Sequence, residues 1–176
     1  MVTTHAYFGQ PSGPKFERRL LELEQMATGV DRTFARNFPE HPVIFAGDMN
    51  VSSPDGREMK TLLDNGFEAP TMMREQVTNI GNSRPYDQIL IRSATANKMP
   101  IGRFDVFRPT DYVFRLEDWE EYRIEMQKLI TKRAKENSEG DKLFQQFRTF
   151  QISDHHLRWA EFVLDWPTEN EPESLE

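Results

Sequence analysis

The chain has no cysteine, which excludes disulfides and thiolate metal sites and leaves the redox compartment open. It has no run of 18 apolar residues, so no stretch reads as a membrane span. It opens on no secretory signal pattern, and the default expectation is a cytoplasmic location. Hydrophobic residues are scarce at 37%, and mean hydropathy is -0.72, so the core is thin for 176 residues, which as a length predicts one domain. Bases are missing from the end. Residues 161–176 hold six acids (Glu161, Asp165, Glu169, Glu171, Glu173, Glu176) and supply -6 of the formal net charge of -7. The pI of about 5.2 therefore reports an acidic tail, expected to be disordered over 167–176, and the body is nearly neutral. No basic patch of the kind nucleic-acid binders carry stands out, and there is no internal repeat.

What is present is organised around His41-Pro42-Val43-Ile44-Phe45-Ala46-Gly47-Asp48-Met49-Asn50. Val43 to Ala46 is a short β-branched and aromatic run, which predicts a strand buried on both faces. Asp48 and Asn50 follow two residues apart, so both leave the strand end on one face. Such strand ends commonly carry ligand groups; equally, Asp and Asn cap turns. Both readings stand on these two residues alone.

Further strands are predicted over Met1–Phe8, Tyr86–Ile91, Ile101–Phe107 and Leu157–Leu164. Lys15–Phe38 predicts a long helix with Phe16, Leu20, Leu23, Ala27, Val30 and Phe34 on its inner face, and Asp55–Asn65 a shorter one with Met59, Leu62 and Leu63 inward. Phe67–Arg84 reads as mostly irregular. Over Thr110–Arg148, Leu116, Trp119, Tyr122, Met126 and Leu129 recur at helical spacing before the basic run Lys132-Arg133-Ala134-Lys135. Aromatics beside bases can touch nucleic acid, but this segment holds nine acids against eight bases, and the plainer reading is a helix with a buried stripe and a solvated end. Glu136–Gly140 reads as a loop.

Three short motifs then fall in order at predicted strand edges: Gly47-Asp48-Met49-Asn50, Tyr86-Asp87-Gln88-Ile89 and Ser153-Asp154-His155-His156. Together they resemble the ordered motifs of the endonuclease/exonuclease/phosphatase superfamily, with Thr3-Thr4-His5-Ala6-Tyr7-Phe8-Gly9 resembling a fourth. The resemblance spans about Val2 to Val163 and covers only the C-terminal half of a family domain. It implies an α/β fold, half of a four-layer, two-sheet sandwich with outer helices (deoxyribonuclease I-like), over residues 1–166, with a helical insertion at about 110–148. It also implies that the chain starts inside a central strand, as a piece of a longer or truncated protein.

The resemblance further implies a Mg²⁺- or Mn²⁺-dependent phosphoesterase, of nuclease or phosphatase type, acting on a phosphate ester such as nucleic acid. By that resemblance Asp154 is a metal ligand, with Asp48 and Asn50 beside it. Asp48 orients or deprotonates the attacking water, Asn50 holds phosphate or metal, and His155 faces the scissile phosphate. Asp87 fixes the tautomer of His155, His5 donates to a phosphate oxygen, and Arg84 is a candidate phosphate contact or a plain loop residue. His156, next along a strand, is expected to pack against the sheet. The family's glutamate ligand and the acidic partner of His5 have no counterpart here, so the isolated chain is expected to be nearly inactive unless an acid such as Asp111 or Glu117 replaces them. Bare sheet edges would then favour self-association or a complementary half. The alternative is an incompetent half-domain serving as a binding or interaction module.

Overall fold

The computed structural model describes residues 1–126 and 140–164. Leu129, the Lys132–Lys135 basic run, the expected loop at 136–139 and the acidic tail lie outside them. In chain order the elements are β1 (Val2–His5), α1 (Pro14–Asn37), β2 (Ile44–Asp48), α2 (Arg57–Asp64), β3 (Phe67–Glu68), α3 (Thr71–Glu75), β4 (Asp87–Arg92), β5 (Ile101–Phe107), α4 (Gly140–Gln151) and β6 (Leu157–Phe162), with short 3₁₀ turns between β4 and β5 and after β5. The architecture is α/β. A mixed sheet runs in the order β1-β2-β4-β3, and β5 and β6 form a separate antiparallel ribbon.

The parallel pairing of β1 with β2 requires a crossover, and α1 supplies it. Leu23 and Ala27 of α1 and Met59 and Leu62 of α2 pack on Phe45, Phe67 and Leu90 of the sheet. Burying each of these large side chains contributes about 1.5–3 kcal/mol. Between the helices lies a buried ion pair, Arg19–Glu58, at 2.8 Å. Glu58 also accepts from the Ser52 hydroxyl, and Arg19 donates to the Gly9 carbonyl, so the pair ties both helices to the loops that follow β1 and β2.

One expectation about the sheet needs correcting. β2 is not buried on both faces: Phe45 is enclosed under the helices, but its alternating neighbours Ile44 and Ala46, with Ile89 of β4, are only half-buried. Among the described residues helices cover one face only, and alternation sends every second side chain to the other. β1 is an edge strand of the described sheet.

The 110–148 region forms a small second core. Trp119, Tyr122 and Met126 turn inward as their spacing predicts, against Phe114, Leu143, Phe144 and Phe147. Among the described residues the stripe is not one continuous helix, because residues 116–120 make a 3₁₀ turn that Asp118 tightens by accepting the Arg115 backbone N–H. Leu116, at the head of that turn, stays exposed.

Candidate active site

The strand register builds the site. β1 pairs with β2, and β2 with β4, so that His5, Asp48 and Asp87 fall in one cross-strand row at the end of the sheet. Cross-strand neighbours on one face lie about 4.5–5.5 Å apart at Cβ, close enough for their side chains to meet. The fourth group arrives from the other sheet. Residues 78–80 catch the approach to β6: Ile80 N–H donates to the Asp154 carbonyl, His156 N–H to the Thr78 carbonyl, and Asn79 bridges to His155. That docking turns the His155 ring onto the row.

Asp87 Oδ2 lies 2.7 Å from His155 Nδ1, and the Asp87 N–H donates to the Thr78 hydroxyl oxygen. His155 Nε2 then faces Asp48 Oδ2 at 3.8 Å and Asp154 Oδ2 at 4.0 Å. Asp48 is shared: Oδ1 accepts the Asn50 N–H at 2.9 Å, while Oδ2 sits 3.3 Å from His5 Nε2. His5 therefore has an acidic neighbour, where the sequence led us to expect none. Its side chain is 75% exposed.

Gly47 is what lets β2 reach this arrangement. Its φ is +143°, and a Cβ there would lie 1.9 Å from the Thr4 carbonyl oxygen. Asn50 adopts φ +51°, a left-handed conformation that asparagine tolerates better than most residues. Its side chain is buried, and its amide donates to the Ala6 carbonyl at 2.8 Å, clipping the loop after β2 to the end of β1.

The electrostatics follow from these contacts. His155 holds its proton more strongly than a free histidine, first because Asp87 accepts its hydrogen bond, and burial only partly offsets this. Burial pushes the Asp87 carboxyl up, but the hydrogen bonds from His155 and Thr78 outweigh it, leaving the group below its ordinary value. Asp48 goes the other way: burial raises it more than the Asn50 N–H and the two histidines lower it. The row thus holds one firmly ionised carboxylate and one with heightened proton affinity.

Of the residues singled out from the sequence, His5, Asp48, Asp87, Asp154 and His155 converge. Asn50 lies in the same loop but is turned inward. Arg84 is exposed beside that loop and donates to the Ser52 carbonyl at 2.9 Å. Asp48, Asp87 and His155 form the one group of three or more close-set possible metal donors among the described residues; Asp154, the ligand expected from the sequence, lies outside it, as do Asp111 and Glu117. His156 is buried, on the face opposite His155. Thr78 and the Arg19–Glu58–Ser52 clamp carry no sequence signal of a site, because only the tertiary fold brings them there; Tyr86, the first residue of the Tyr86-Asp87-Gln88-Ile89 motif, sets its ring centroid 5.8 Å from that of His155.

No protein-family model, curated protein or solved structure matches this chain.

Proposed function

We propose that this chain carries the hydrolytic residues of a metal-dependent phosphoesterase, of nuclease or phosphatase type, on a deoxyribonuclease I-like arrangement of the endonuclease/exonuclease/phosphatase superfamily. The observation that supports this reading is the bracketed imidazole. Asp87 holds Nδ1 at 2.7 Å, which directs Nε2 towards the space shared with Asp48, Asp154 and His5.

Phosphoester hydrolysis needs an in-line water and compensation of the charge that grows on the phosphoryl oxygens. Protonated His155, favoured by its flanking carboxylates, donates from Nε2 to a phosphoryl oxygen, and Asp87 keeps the ring from turning. Asp48, with raised proton affinity, takes the proton of the attacking water through Oδ2. Exposed His5 reaches the same phosphate from the β1 side, and Asn50 positions the loop through Ala6. Arg84 adds a guanidinium at the rim.

The donor set fits a hard divalent cation. Asp154 has an exposed carboxylate 4.0 Å from His155 Nε2, and Asp48 Oδ2 faces the same space. Mg²⁺ or Mn²⁺ is commonly held by one or two carboxylates plus water. Asp154 would hold it, with Asp48 beside it, and it would supply neutralising charge for the phosphate ester.

The test is hydrolysis of plasmid DNA and of a chromogenic phosphodiester with Mg²⁺ or Mn²⁺, beside Asp154→Ala and His155→Ala chains. Metal-dependent turnover that is lost in His155→Ala and needs far more metal in Asp154→Ala supports the reading, and overturns the expectation that the chain alone is nearly inactive. A second reading, an interaction module, is favoured by the half-covered sheet face of Ile44, Ala46 and Ile89. Absence of turnover on every ester with any divalent metal would favour it.

A further inference from the structure

Arg158 of β6 ties together three segments that meet at the His155 row. It follows His155 by three residues and is 8% exposed, while Leu157 and Trp159 on either side of it face out. Its Nη1 donates to Gln88 Oε1 of β4 at 2.9 Å, and its Nη2 to the Gln76 carbonyl just after α3. Gln88 is enclosed, and its amide donates in turn to the Pro85 carbonyl at 2.7 Å, which fixes the approach to Asp87. Two residues beyond Gln76 is Thr78, whose hydroxyl accepts the Asp87 N–H and whose carbonyl accepts the His156 N–H. One guanidinium thus grips the strand that carries Asp87, the strip that receives His155 and the strand that follows His155.

A buried cation is costly, and among the described residues both of these acceptors are neutral. Well-packed apolar side chains commonly stabilise such an interior at least as well, so fold stability alone does not account for an arginine here. Its planar fork does: two donors at fixed separation set Gln88 against the Gln76 carbonyl, which a flexible ammonium cannot do. The charge acts on the site as well. Burial pulls the Arg158 guanidinium down to about 10 while Asp87 opposes, so it stays charged at neutral pH. Burial raises the Asp87 carboxyl, the bonds from His155 and Thr78 lower it, and the Arg158 charge lowers it further. We propose that Arg158 is a positioning residue for the site, fixing the Asp87–His155 pair through Gln88 and through residues 76–78. Its effect on turnover rests on the hydrolytic reading above; its hold on the pair does not.

The experiment is NMR of the whole chain, read at the hydrogen-bonded Nδ1–H of His155 and assigned by its loss in His155→Ala. Steady-state hydrolysis of a chromogenic phosphodiester runs beside it. In the unaltered chain that proton should exchange slowly with water. In Arg158→Met it should exchange at least about 10-fold faster or vanish, and kcat should fall about 10–100-fold with KM within about twofold, as misplacement of a reacting group does. Arg158→Lys should fall between, because an ammonium bonds Gln88 or the Gln76 carbonyl without a rigid fork to span both. An unmoved signal in a folded Arg158→Met chain, or an unchanged kcat where the unaltered chain turns over, would overturn the inference. If Arg158→Met does not fold, Arg158→Lys decides. Faster exchange there supports the inference, and an unmoved signal or a second unfolded chain overturns it, since the arginine would then serve the fold alone. Absence of the signal in the unaltered chain would refute the Asp87–His155 pair and this inference with it. Absence of turnover in the unaltered chain with the signal present would count against the hydrolytic reading only, and the exchange comparison would still decide the role of Arg158.

Discussion

The Asp87 carboxylate and the His155 imidazole meet at 2.7 Å across 68 positions of sequence, and each alters the other's proton affinity. The Asp87 contribution to stability is present above its ordinary value of 3.8 and fades as pH falls through its lowered folded value. The His155 contribution is present below 6.5 and fades as pH rises through its raised folded value. Asp87→Asn should therefore cost most stability between those limits and less at higher pH. The His155 ring should titrate at lower pH by NMR, and phosphoesterase turnover should fall by about 10²–10⁴-fold. An unmoved His155 titration would refute the pairing.

The His156 ring responds in the opposite sense. Burial first, then Arg108, Arg148 and His155, hold it below 6.5, with Asp111 opposing. A histidine depressed on folding loses stability as pH falls from 6.5 through its folded value. Denaturant unfolding of His156→Gln should show a flatter acid limb than the unaltered chain between pH 7 and pH 5, values chosen to bracket the free-histidine range.

Gly47 is irreplaceable on steric grounds. At φ +143°, with the Thr4 oxygen 1.9 Å from any Cβ, alanine forces β1 and β2 apart beneath the site. Gly47→Ala should cost more than about 3 kcal/mol or prevent folding, as strain at such a backbone position commonly does. Urea midpoints measure it, and a loss under about 1 kcal/mol would mean that the strand contact is looser than described.

The Arg19–Glu58 pair should behave asymmetrically. Glu58→Ala leaves a buried guanidinium and an unpartnered Ser52 hydroxyl, and breaking such a pair costs about 3–5 kcal/mol. Arg19→Met with Glu58→Leu should recover much of that loss, because no charge stays buried. A double-mutant cycle with no coupling would count against the pair.

Metal dependence has its own signature. EDTA should abolish phosphoester turnover, and Asp154→Ala should raise the Mg²⁺ concentration for half-maximal rate by about 10-fold or more, since so few protein carboxylates serve the ion. Fold stability in the absence of metal should change by less than about 0.5 kcal/mol, because the Asp154 side chain is 70% exposed.

The sequence by itself determined what depends on local spacing. Apolar residues at intervals of three and four placed α1 and α2, and alternation beside Gly47 and Pro85 placed Asp48 and Asp87 at strand ends and separated His155 from His156. Tertiary structure decided everything that depends on register between distant strands. The parallel β1–β2 pairing sets His5 beside Asp48, and Asn50 turns inward because the Ala6 carbonyl is there to receive it. The Thr78–Ile80 strip delivers His155 to Asp87. α4, whose Gly140 reads as loop and whose residues 141–148 fall in the expected helical insertion, folds because Phe144 and Phe147 find Trp119 and Tyr122 across a gap in sequence that no local period spans. The half-covered sheet face belongs to the same class: an apolar run signals burial, but which of its two faces receives a helix is settled only when α1 and α2 dock.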